Sequence, residues 1–115
     1  MSYYTGYNIS FNPEPTIEEF NQILKDLTEL SGYSEGTFDS RPPTPPASFI
    51  SLYTSWYDYE ENMIAVSKKH PNILMEVNGA GENNDDLWTA WFKNGKYYRT
   101  DAEIIYPVYD ESKMI

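Results

Sequence analysis

The sequence predicts an α+β fold, an antiparallel sheet with two helices packed on one face. Three observations carry this. One segment has the start signal and the apolar spacing of an amphipathic helix. A second ends in basic residues and a proline, as helices do. An Asn-Gly pair joins two alternating segments near the end, the strongest short hairpin signal.

Residues 3–11 read as a strand, with Tyr7, Ile9 and Phe11 on one side and Asn8 and Ser10 on the other, until Pro13 and Pro15 stop it. Thr16 and Glu19 then form a T-x-x-E capping box. Ile17, Phe20, Ile23, Leu24, Leu27 and Leu30 recur at steps of three and four, the spacing of one buried helical face, and Gly32 suits the position after the last turn. Arg41 to Pro46 reads R-P-P-T-P-P, which excludes helix and central strand and predicts a polyproline-like loop between the helices. Short strands flank it at about 34–39 and 48–53. The second helix is expected from Asp58, with Asp58 and Glu61 repeating the capping logic. Met63, Ile64 and Val66 supply its apolar face. Lys68, Lys69 and His70 complement the dipole in its last turn, and Pro71 ends it.

Ile73–Val77 reads as a strand and residues 78–86 as a polar loop. Leu87–Lys93 and Lys96–Tyr106 are the hairpin around Asn94 and Gly95. The turn sets the register: Phe92 faces Tyr97, Ala90 faces Arg99 and Trp88 faces Asp101, while Trp91 meets Tyr98, Thr89 meets Thr100 and Leu87 meets Ala102. Ile104 and Tyr106 continue the Trp91 side, which places that side against the helices. Trp88, Phe92, Tyr97 and Arg99 are then expected on the open side or beneath the proline loop. No internal repeat is present, and the length fits one domain over residues 1–115.

The chain holds 18 acidic and 8 basic residues, a formal charge of -10, together with 11 tyrosines, 5 phenylalanines and 3 tryptophans. High acidity alone would suggest disorder, but this aromatic content buries too much apolar surface for that. The whole surplus lies in residues 1–92, with 14 acids against 4 bases, whereas residues 93–115 balance 4 against 4. Direct binding to nucleic-acid phosphates or anionic membranes is disfavoured, because both need clustered Lys and Arg. A protein partner with a basic surface is favoured, and many such surfaces bind nucleic acid. The lack of cysteine removes disulfide and thiolate chemistry. With no apolar run of membrane length and no signal-peptide pattern, a cytoplasmic location is expected.

Trp56-Tyr57-Asp58-Tyr59-Glu60-Glu61-Asn62-Met63, Ser67-Lys68-Lys69-His70-Pro71, Gly79-Ala80-Gly81-Glu82, Asp86-Leu87-Trp88 and Phe92-Lys93-Asn94-Gly95-Lys96 form one set. Together with Tyr7-Asn8-Ile9-Ser10 and Ser31-Gly32-Tyr33, it resembles small phage and plasmid proteins with a YubB-type ferredoxin-like domain. The resemblance implies a ferredoxin-like antiparallel sheet and a mobile-element origin. It carries over no catalytic residue. The Pro42–Pro46 insert departs from the short connection expected there.

Four groups invite a chemical reading. His70 is the single histidine, and its place at a helix end accounts for it without catalysis. Glu82, Asp85 and Asp86 offer hard oxygen ligands but lack EF-hand spacing, so a solvated loop is the simpler account and no metal or other cofactor is expected. Gly79-x-Gly81 lacks the third glycine and the following helix of a phosphate-binding turn, and the nearby carboxylates repel phosphate. Trp88, Phe92, Tyr97 and Arg99 suit a core, an internal cover or a protein interface, because the remaining charge opposes RNA stacking.

The first helix carries Glu18, Asp26 and Glu29 on its expected solvent face, with Gln22 between them, and Asp58, Glu60 and Glu61 extend the acidic field. Carboxylates spaced along a helix can imitate the phosphates of a nucleic-acid strand. Taken with the net charge and with what the resemblance to phage and plasmid proteins implies, the expected function is a non-enzymatic phage inhibitor of a host nucleic-acid-binding defence protein, such as a CRISPR effector. Its contact set would be Glu18, Asp26, Glu29, Asp58, Glu60, Glu61, Trp88, Phe92 and Tyr97. The alternative is a homodimeric binding or assembly module that uses an open aromatic sheet face.

Overall fold

The computed structural model describes residues 3–43, 48–103 and 105–115. The expected Pro42–Pro46 loop falls largely on residues outside that set, as does Ile104. Strand β1 (Thr5–Asn12) buries Tyr7, Ile9 and Phe11 as their period-two spacing predicts. Helix α1 (Ile17–Ser31) follows. The Thr16 side chain accepts from the Glu19 amide at 3.1 Å, a cap that stabilises by about 1 kcal/mol. Gly32 closes the helix at φ 77°, donating to Thr28 O. Phe20, Ile23, Leu24 and Leu27 bury the predicted stripe, each stabilising by roughly 1.5–3 kcal/mol. The stripe is shorter than the spacing suggests, because Ile17 and Leu30, one at each end of it, are exposed.

A short 3-10 turn at Glu35–Thr37 leads to β2 (Asp39–Arg41), and β3 (Phe49–Thr54) follows. Helix α2 (Tyr59–Lys69) precedes β4 (Leu74–Gly81), β5 (Leu87–Lys93) and β6 (Lys96–Asp101). The strands form one six-stranded sheet in the order β2-β3-β1-β4-β5-β6, with every pairing antiparallel. β3 and β4 flank β1 and are joined through α2, a split β-α-β crossover. β1 and β3, joined through α1 and β2, are antiparallel neighbours. The hairpin register around Asn94 and Gly95 is the predicted one.

Both helices cover the same face. That face holds Tyr7, Ile9, Ile50, Leu52, Met75, Val77, Trp88, Ala90 and Phe92, all buried. The helices run antiparallel: Asn62 at the start of α2 reaches Leu30 O at the end of α1, and His70 just past α2 reaches Asp26 within α1.

The structure corrects five expectations. The strand expected at about 34–39 is displaced to Asp39–Arg41, because Glu35–Thr37 forms a 3-10 turn. Asp58 makes no side-chain cap, because its φ of -99° and ψ of 25° are not the extended geometry that aims a capping carboxylate. β4 runs on through the expected polar loop to Gly81, since β1 pairs with it over Leu74–Gly81. β6 stops at Asp101, well short of Tyr106. The two faces of the hairpin are also reversed: Trp88, Ala90 and Phe92 face the helices, and Leu87, Thr89 and Trp91 face outward. The pleat explains the reversal. Ala90 pairs with Val77 and Phe92 with Met75, so the buried side of β4 dictates that of β5.

Candidate binding faces

The nine residues proposed for partner contact separate into three groups. Glu18, Glu29, Asp58 and Glu61 are exposed on the helical layer, and Glu60 is half-buried. Glu18 and Glu29 stand about 16 Å apart along α1. Because the end of α1 meets the start of α2, Glu29 and the acids at 58, 60 and 61 share one end of that layer. Among the described residues none of these five carboxylates has a cation within 4.0 Å; the ion pairs present involve Glu19, Asp26 and Asp101.

Asp26 is not a surface residue. Its side chain is 4% exposed and takes hydrogen bonds from Gln22 Nε2 at 2.9 Å and His70 Nε2 at 2.9 Å, with Lys69 Nζ at 3.8 Å. Burial pushes its pKa up, but the hydrogen bonds from His70 and Gln22 and the charge of Lys69 outweigh it and hold the carboxyl below its ordinary value. His70 Nδ1 lies 3.6 Å from Glu19 Oε2, so the ring sits between two carboxylates and ties the two helices together. Glu19, placed in the sequence as part of a capping box, is spent on this contact. The buried hydroxyl of Ser67 donates to Ile64 O and accepts from the Gly95 amide. These bonds give His70 and Ser67 structural employment.

Trp88 and Phe92 are buried, which removes them from any surface contact. Tyr97 stays exposed at the sheet edge, stacked on Phe92 with ring centroids 5.5 Å apart, and its hydroxyl donates to Glu60 at 3.4 Å. The Trp88 indole lies against Gly79 on one side and beneath the Arg99 guanidinium, 4.4 Å from its centroid, on the other. Arg99 also donates to Tyr59 Oη at 2.9 Å. Burial, partly countered by that bond, pushes the Tyr59 pKa up to about 12. The two glycines of the G-x-G segment thus have packing roles: Gly79 admits the indole, and Gly81 admits the Tyr3 and Asp86 side chains. Tyr3 Oη donates to Asp86 at 2.7 Å, and among the described residues no group of acids and histidine is arranged to hold a metal.

The sequence missed the outward face of the sheet. Ser51, Asn8, Asn78, Thr89 and Thr100 align across five strands in one row. Beside it run Tyr53, Gly6, Ala80 and Leu87. Small side chains at Gly6 and Ala80, between the larger Tyr53 and Leu87, leave a groove of about 800 Å³, whose lining also includes Thr37 and Asp39. A third row carries Trp91 stacked on Tyr98 at 5.7 Å, with Trp91 Nε1 donating to Glu76 at 3.0 Å. Lys93 and Lys96 border a smaller hollow of about 430 Å³ there. The helical face is therefore acidic, and the sheet face is mostly uncharged in its floor, with Asp39 at one end of the row, and aromatic at its other end.

Among the described residues no helix is long and apolar enough to cross a membrane. Compared with known proteins, the chain matches no family, no curated protein and no solved structure.

Proposed function

We propose that this chain is a non-enzymatic inhibitor that occupies a basic, nucleic-acid-binding surface on a host protein, with the helical layer as its contact face. The carrying observation is the set of five helix-layer carboxylates, Glu18, Glu29, Asp58, Glu60 and Glu61, that no cation within the described chain neutralises. A protein keeps unpaired charge of one sign at some cost in self-repulsion, and a basic partner relieves it. Tyr97 adds an aromatic contact beside Glu60. Asp26, by contrast, serves to hold α1 against α2 so that the acids keep a fixed spacing.

The resemblance to phage and plasmid proteins supports a host defence component, of the CRISPR-effector kind, as the target class. It also supports a ferredoxin-like kinship, to which the β3-α2-β4 crossover and the one-sided helices are congenial. The experiment is capture from a bacterial lysate on the immobilised full chain, followed by elution with duplex DNA. Nucleic-acid-binding proteins released by DNA and by salt are the expected result. A catch unaffected by both, or one retained by a Glu18→Gln, Glu29→Gln, Glu61→Gln variant, overturns the reading.

A further inference from the structure

The segment Ile105–Ile115 stands away from the domain with its apolar side chains in water. Ile105, Tyr106, Val108, Tyr109, Met114 and Ile115 are each at least 67% exposed. Among the described residues its hydrogen bonds stay within itself: Asp110 with Ser112 and Lys113, Glu111 with Met114, and Tyr109 with Met114. The radius of gyration is 16.7 Å, against roughly 13 Å for a compact chain of this size. So concentrated an apolar exposure marks a contact surface.

The segment leaves the sheet at the lip of the groove. Ala102 lines the groove and donates its amide to Leu87 O, and the projecting residues begin just beyond. We infer that this chain forms a homodimer in which the 105–115 segment of each copy lies across the sheet groove of the other. Charge does not drive this contact: the segment holds Asp110, Glu111 and Lys113, and the groove lining adds Asp39 and Asp101, so the apolar side chains must hold it. Size favours a second copy as the occupant. Two tyrosines per segment bury about 150–250 Å² each. Counted in both copies and matched by the groove surface that they cover, this reaches the roughly 1,200–2,000 Å² of a standard interface. The arrangement is reciprocal and closed, as two-fold dimers are.

Sedimentation velocity of the full chain over a concentration series tests this without any host protein, so its outcome is independent of the target proposed above. The expected result is a monomer–dimer equilibrium that added salt leaves unchanged or strengthens, because the contact is apolar and salt screens the like charges elsewhere. Val108→Lys in the segment and Ala80→Lys in the groove should each raise the dimer Kd at least ten-fold, with unchanged circular dichroism. Both positions are exposed in the single chain, so folding is spared. A wild-type chain that remains monomeric at about 100 μM overturns the inference, as does a dimer indifferent to both substitutions.

Discussion

Gly79→Ala is the sharpest test of how the sheet and the aromatic core are joined. A Cβ at position 79 would lie 2.5 Å from Trp88 Nε1 and nearer still to two ring carbons. Ordinary contact is about 3.5 Å, so the indole would have to retreat by about 1 Å or more. It has little room to do so. Arg99 lies 4.4 Å from its centroid, with Tyr59 at 5.0 Å and Tyr7 at 5.9 Å. Overpacking of this kind costs typically 1–3 kcal/mol, and losing the Arg99 contact adds about 0.5–1 kcal/mol. Against this, alanine in a strand gains about 0.5–1 kcal/mol over glycine. A net loss of about 1–3 kcal/mol is therefore expected, read from urea unfolding followed by far-ultraviolet circular dichroism. In a double-mutant cycle with Trp88→Leu the Gly79→Ala penalty should vanish or change sign, because the clashing ring is gone. A neutral Gly79→Ala, or an additive cycle, would refute the packing argument.

Three further outcomes are expected. The depressed Asp26 pKa means that its contribution to stability is present above the ordinary value of 3.8 and is lost as pH falls through the lower folded value. Asp26→Asn should cost about 1–3 kcal/mol at neutral pH and flatten the acid limb of a Tm–pH profile. The raised Tyr59 pKa, about 12, stabilises the fold below the unfolded value near 10 and is lost as pH rises through 12, so Tyr59→Phe should reduce the alkaline fall in Tm. Gly95→Ala puts a side chain at φ 78° and a Cβ 2.7 Å from the Lys68 stem, which should cost at least about 1–2 kcal/mol by thermal melting.

Local signals were legible where local chemistry decides the structure. Thr16 and Gly32 bound α1 as their types require, and Asn94-Gly95 set the β5–β6 register residue for residue. What the sequence could not show was pairing between distant strands. The Trp88 side of β5 is buried because Val77 and Met75 across the ladder are buried, and nothing near Trp88 encodes that register. Ile104 and Tyr106 favour the opposite side only if the strand reaches them, and it ends at Asp101. Asp26 follows a related rule: helical spacing groups it with Glu18 and Glu29, but α2 packs over it, bringing Lys69 from its last turn and His70 from just past it. The groove left no sequence signal of its own. Gly6 and Ala80 sit 74 positions apart, and only the β1–β4 ladder makes them neighbours.

The central claim is that the carboxylates of the helical layer take the place of nucleic acid on a basic surface. Competition against a short DNA duplex for the captured host protein, measured across salt concentrations, tests it most directly. The account predicts mutually exclusive binding, an affinity that falls at least ten-fold between about 50 and 200 mM salt, and a clear loss in the Glu18→Gln, Glu29→Gln, Glu61→Gln variant. A ternary complex holding both the duplex and this chain, or a salt-independent affinity, would contradict it.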